Sequence, residues 1–171
     1  GTALMLAANQ GHERVVELLL QRGAEINKQD SDGGTALMRA AYNGHERVVD
    51  LLIRYGAEVN PQDSDGDTPL MLAAYIGCPA SVLRLLRAGA NAKARSADGM
   101  SALQIAKEEA AKVLATADAA SAPETDHAGC VRALTEHAAA LREAEAAEKA
   151  LEVKGRREQR EREAAAAARE R

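Results

Sequence analysis

A stretch of 33 residues is written twice in succession at the start of this 171-residue chain. Residues 1–33, GTALMLAANQGHERVVELLLQRGAEINKQDSDG, lie over residues 34–66, GTALMRAAYNGHERVVDLLIRYGAEVNPQDSDG, with 24 identities. Residues 67–99, DTPLMLAAYIGCPASVLRLLRAGANAKARSADG, keep the same frame more loosely. A fixed period of this length restricts the fold to stacked supersecondary units, each unable to bury its apolar face alone. Composition sets how such units pack. The chain has no Trp and no Phe, and aromatic residues make up 2%, so Leu, Val and Ala must fill the interior. That suits helices lying close over small residues better than a sandwich or barrel.

The punctuation inside each unit predicts two short helices. Thr2, Thr35 and Thr68 precede an apolar run, where a hydroxyl can cap the free N–H groups of a first helical turn. Pro69 fits the first helical position, where its missing N–H costs nothing. The run ends at Gly11, Gly44 and Gly77. A second helix follows, with Val48, Val49, Leu52 and Ile53 at helical spacing, closed by Gly56 as Gly23 and Gly89 close its neighbours. AEVNPQDSDG is too polar and turn-rich for a helix and reads as a projecting turn finger. The fold class predicted is all-α, a solenoid of helix-turn-helix units.

The pieces DGDTPL, AAYNGH, VVDLLI and GAEVN resemble the ankyrin repeat family. The resemblance is strong over repeats at 1–33, 34–66 and 67–99 and continues into a degenerate fourth at 100–139. That fourth unit opens with MSALQIAKEEA. Its second helix is either residues 111–120 or HAGCVRALTEHAA (127–139), and the latter is favoured, with roughly 16 residues inserted before it. Ala138 stands where its closing Gly is expected. One departure recurs: the family's His of the Thr-Pro-Leu-His motif is replaced by Met5, Met38, Met71 and then Gln104, so the hydrogen bonds of that His are expected to be lost. Residues 140–171 read as a charged helical tail, partly disordered on one reading, with favourable pairs Glu145–Lys149, Glu152–Arg156 and Glu158–Arg162. Its apolar stripe, Leu134, Leu141 and Leu151 among alanines, gives weak support to a coiled coil or to self-association.

Several function classes are excluded. The formal net charge of −4 divides evenly along the chain, so neither half is a basic footprint for nucleic acid. Apolar runs are too short and too charged for membrane insertion. Cys78 and Cys130 form no CxxC, so no disulfide framework or zinc site is expected. His12 and His45 are followed by Glu, but HER is not HExxH, and equivalent residues of successive units lie side by side rather than converging. DSDG at 30–33 and 63–66 has the wrong residues elsewhere in a calcium-loop frame. No phosphate loop, nucleophile elbow or paired-carboxylate signature is present. The expectation is a protein with no metal, no cofactor and no catalysis of its own.

What remains is surface. Residues identical between units hold the fold, and those that vary are free to meet a partner. The family resemblance implies that first-helix ends and finger tips line a concave binding face. Carried onto this sequence, that face holds Asn9, Gln10, Asp32, Arg39, Tyr42, Asn43, Asp65, Asp67, Tyr75, Ile76, Asp98 and Met100. Tyr42 and Tyr75 would stack as a two-rung ladder of interface anchors, and the aspartates favour a partner protein with a basic surface. The resemblance also offers Asn27 and Asn60 as hydroxylation acceptors, against a plainer role as turn residues bonding their own backbone. The function expected is an intracellular protein–protein interaction scaffold or adaptor, cytoplasmic or nuclear. Two alternatives stand beside it. One is the recruitment arm of a larger enzyme or channel, since the chain begins at Gly1 without Met. The other is a structural protein assembling through its C-terminal helix.

Overall fold

The computed structural model describes residues 1–116 and 125–169. Among these residues eight helices follow in order: α1 Ala3–Asn9, α2 Glu13–Gln21, α3 Ala36–Tyr42, α4 Glu46–Arg54, α5 Pro69–Ile76, α6 Pro79–Arg87, α7 Ala102–Thr116 and α8 His127–Arg169. No described residue is in a strand. Helices α1, α3, α5 and α7 pack side by side in one row, and α2, α4 and α6 in a second. Of the insertion expected before His127, residues 111–116 continue α7, and residues 117–124 lie outside the described residues.

The first helices start where the sequence predicts. The hydroxyls of Thr2, Thr35 and Thr68 accept the N–H of Met5, Met38 and Met71 at 3.2, 3.3 and 3.3 Å, each cap contributing about 1 kcal/mol. The three methionines are buried. Two of the residues that stand in place of the family's His accept a backbone N–H. Met5 Sδ accepts the Thr2 N–H at 3.3 Å, and Gln104 Oε1 accepts the Ser101 N–H at 3.0 Å.

Second helices begin on a residue that reaches back to the preceding unit. The His45 ring places Nε2 3.0 Å from the Asn9 carbonyl oxygen. At the start of α8, His127 repeats this with Nε2 2.9 Å from the Tyr75 carbonyl oxygen, and the Asp126 N–H donates to the Gly77 carbonyl at 2.7 Å. The ring lies so close over Gly77 that a Cβ there would stand 2.8 Å from it. Cys78 occupies the intervening position, and its thiol contacts Ser81 Oγ at 3.1 Å and reaches back to Glu46 Oε1 of the preceding unit at 3.4 Å.

Between the two rows runs one buried cluster. Leu37, Val49, Leu52, Leu70, Val82 and Leu85 fill it, joined by Cys130 and Leu134 of α8. Each large side chain contributes about 1.5–3 kcal/mol by leaving water. Ala8, Ala40, Ala41, Ala73, Ala74 and Ala106 are also sealed, and their small size lets the first helices approach closely.

The fingers stack by backbone bonds. Each closes on itself, as where the Gly66 N–H donates to the Asp63 carbonyl at 3.0 Å. Neighbours then join: the Ser64 N–H donates to the Asp32 carbonyl and the Ala97 N–H to the Asp65 carbonyl, both at 2.8 Å.

The chain divides into two compact units, Gly1–Thr135 and Glu136–Arg171. Within the second, every residue from 139 to 163 is exposed, and local pairs hold the helix. Arg156 meets Glu152 at 2.6 Å as expected from spacing. Glu158 turns to Lys154 at 4.0 Å rather than to Arg162, and Arg157 meets Glu161 at 2.9 Å.

Candidate functional site

The residues expected to vary freely divide into two groups. Several are occupied by the stack itself. Asn43 Nδ2 donates to Asn9 Oδ1 at 2.9 Å and to the Arg39 carbonyl at 2.8 Å. Arg39 Nη2 donates to Asp30 Oδ2 at 2.6 Å, and this bond holds the Asp30 carboxyl below its ordinary 3.8. Ile76 packs 3.7 Å from where a Gly44 Cβ would stand. Asp32 and Asp65 are exposed on finger tips, with their carbonyls in the finger ladder. Gln10 is exposed at the end of α1.

The second group comes together. Tyr42, Asp67, Tyr75, Asp98 and Met100 line one depression of about 350 Å³. The tyrosine rings, 48% and 45% exposed, stack with centroids 6.2 Å apart and planes within 6°. They are brought together because each sits in the last turn of its first helix, one period apart. Met71, Leu72 and Ile105 supply the apolar floor. Asp67 is partly buried, and that burial raises its pKa above 3.8, with the charges of Asp63, Asp65 and Asp98 adding to the rise.

The rest of the lining was not singled out from sequence. Glu108, Glu109 and Lys112 of α7 close one side, and Ser96 the finger side. Two of these were within reach: adding 33 to Tyr75 and Ile76 gives Glu108 and Glu109, while adding 33 to Leu72 gives Ile105. The degenerate sequence of that unit hid the continuation. Lys112 Nζ lies on Glu109 Oε1 at 2.5 Å, which raises the lysine pKa.

Asn27 and Asn60 do not bond their own backbone, contrary to the plainer expectation. Asn27 Oδ1 accepts the Glu58 N–H at 2.9 Å, and Asn60 Oδ1 accepts the Asn91 N–H at 2.7 Å, each in the next unit. Only Asn91 of this series bonds locally, to the Lys93 N–H at 3.0 Å.

Little in this arrangement suits covalent chemistry. Burial raises the Cys78 thiol and pushes Cys130 up to about 12, so neither is a thiolate nucleophile at neutral pH. Among the described residues no three His, Cys, Asp or Glu side chains group as a metal site, and no helix is long and apolar enough to cross a membrane.

Two family models match the chain. One describes ankyrin repeats in three copies and covers residues 1–63; the other describes ankyrin repeats in many copies and covers 52–106. A comparison with curated proteins finds no match. Ankyrin repeats are in general protein–protein interaction modules, typically without catalysis of their own. Both matches fall on the units that period, threonine caps and glycine turns already define, and the chain belongs to the ankyrin repeat family.

Proposed function

We propose that this chain is a non-catalytic adaptor that holds a basic segment of a partner protein against the first-helix ends and fingers of its second, third and fourth units. In this reading α7 and the first turns of α8 are the two helices of a fourth repeat, 100–139, and 140–171 is a charged tail. The way His127 repeats the His45 contact supports that assignment. The observation that carries the functional reading is the depression itself, where exposed stacked tyrosines meet Asp67, Asp98, Glu108 and Glu109. Exposed rings give interface area at small entropic cost, and unbalanced charge steers the encounter.

The test is capture from source-cell lysate with two baits, the native chain and a Tyr42→Ala, Tyr75→Ala, Asp98→Lys variant shown to be equally helical. Proteins lost selectively from the variant are expected. Identical sets on both baits would move binding to another surface, the charged tail first.

A further inference from the structure

We propose that the depression between Tyr42, Tyr75 and α7 receives one arginine side chain of the partner, an assignment that rests on the binding-face reading above. At about 350 Å³ the space lies near the low end of small-ligand sites, roughly 300–1,000 Å³. It suits a single long side chain rather than a docked helix. Its floor is apolar, with Met71 sealed beneath and Leu72, Met100 and Ile105 around it. That floor accepts the methylene stem of a long basic residue. Its wall is the stacked pair of ring faces, onto which a planar guanidinium lies flat.

Charge decides the head group. Four carboxylates, Asp67, Asp98, Glu108 and Glu109, line the space against one lysine, and that lysine lies on Glu109. Among the described residues Asp67, Asp98 and Glu108 have no ion-pair partner within the chain. The contrast with the outer face of the second helices is instructive. There a comparable hollow is lined by four acidic and four basic residues, and three pairs close across it: Arg84 meets Asp50 at 2.9 Å, Arg47 meets Glu13 at 3.6 Å and Arg54 meets Asp50 at 3.9 Å. The hollow beside the tyrosines sets four acids against one cation, and a partner supplies another. A guanidinium answers both features together, since its fork matches a carboxylate while its plane lies on a ring. An ammonium answers only the charge.

Selection of displayed random short peptides on the full chain tests this, with affinities of the winners measured by fluorescence anisotropy. The winners are expected to share an arginine. Replacing it by citrulline, which keeps the shape and removes the charge, should weaken binding roughly 30-fold, and lysine about fivefold. Asp67→Asn with Asp98→Asn should weaken it about tenfold, whereas Glu17→Gln on the outer face of α2 leaves it unchanged. Tyr42→Phe with Tyr75→Phe should keep binding within about twofold, because the ring faces and not the hydroxyls make the contact. Equal binding by citrulline or lysine peptides overturns the arginine assignment, as does failure to enrich any peptide or loss of binding with phenylalanine. If such peptides still depend on Tyr42→Ala, the binding-face reading survives; if they ignore Tyr42→Ala and the Asp67→Asn pair alike, both fall. Winners that copy the arginine-rich stretch 154–162 of this chain, with concentration-dependent dimers in light scattering, would identify the arginine as that of a second copy.

Discussion

Two equivalent windows along the stack, 30–42 and 63–75, share a finger, a threonine cap and a tyrosine, yet they present different chemistry. In the first, Arg39 reaches back to Asp30 and neutralises it. Gly34 leaves room for the pair, since a Cβ there would stand 3.1 Å from both the guanidinium and the carboxylate. In the second window Leu72 replaces Arg39 and Asp67 replaces Gly34. No arginine closes over the finger. Asp63 accepts the N–H groups of Asp65 and Asp67 at 3.1 and 2.8 Å, as Asp30 accepts those of Asp32 and Gly34 at the same two distances, but it gains no guanidinium, and the Asp67 carboxylate is left on the depression. Two substitutions within an unchanged backbone thus convert a self-neutralised surface into an acidic hollow. A repeat fixes where side chains point and leaves their charge open to choice.

The finger stack that keeps both windows in register gives the largest effect. Gly66 has φ 74 and a Cβ there would meet the Ala97 backbone nitrogen at 2.8 Å, whereas Gly99, with φ 77, has nothing within 4 Å. Gly66→Ala should cost about 3 kcal/mol, from backbone strain plus displaced fingers, and Gly99→Ala about 1 kcal/mol from strain alone. Equal losses in urea denaturation would show that finger contact adds nothing. His127→Ala comes next, at about 1–2 kcal/mol, because it leaves the Tyr75 carbonyl without its imidazole partner. An unchanged midpoint would mean that the start of α8 does not depend on that contact.

Arg39→Leu makes the first window imitate the second and should cost about 1 kcal/mol at neutral pH, the guanidinium being partly exposed above a nearly buried carboxylate. Because Asp30 is held below 3.8, its contribution is complete above that value and disappears as pH falls through the lowered pKa. Stability curves of native and variant protein should therefore converge in acid, and a constant gap would break the comparison. Asp67 carries the opposite sign. Its raised pKa means that the charged form costs stability above that pKa, so Asp67→Asn should raise the neutral-pH melting temperature slightly and lose that advantage in acid. The smallest effect is expected from ending the chain after His137. The buried Cys130, Ala133 and Leu134 are kept, and thermal unfolding of 1–137 should follow the full chain within about 1 °C.

How much of this was legible depends on whether an interaction repeats. The caps at Thr2, Thr35 and Thr68 recur with the period, and the structure forms all three. The tyrosine stack was legible for the same reason. Arg39 looked conspicuous because it differs from its counterparts, yet its partner Asp30 lies on the preceding finger, a pairing that no helical or repeat spacing announces. Asn27 and Asn60 looked like local turn residues because residues two positions apart can be judged from sequence, while the next unit's N–H cannot. Glu108 and Glu109 sat on the same ladder, concealed only by loss of sequence likeness in α7.

The stacked ring pair has an optical consequence. With no Trp and three Tyr in the whole chain, near-ultraviolet absorption and emission come almost wholly from phenols, and two of the three line the depression. The third, Tyr55, stands at the end of α4. The protein therefore carries its own reporter where a partner is proposed to sit, and parallel rings 6.2 Å apart couple their transitions. Near-ultraviolet circular dichroism during a titration reads that surface without any attached dye.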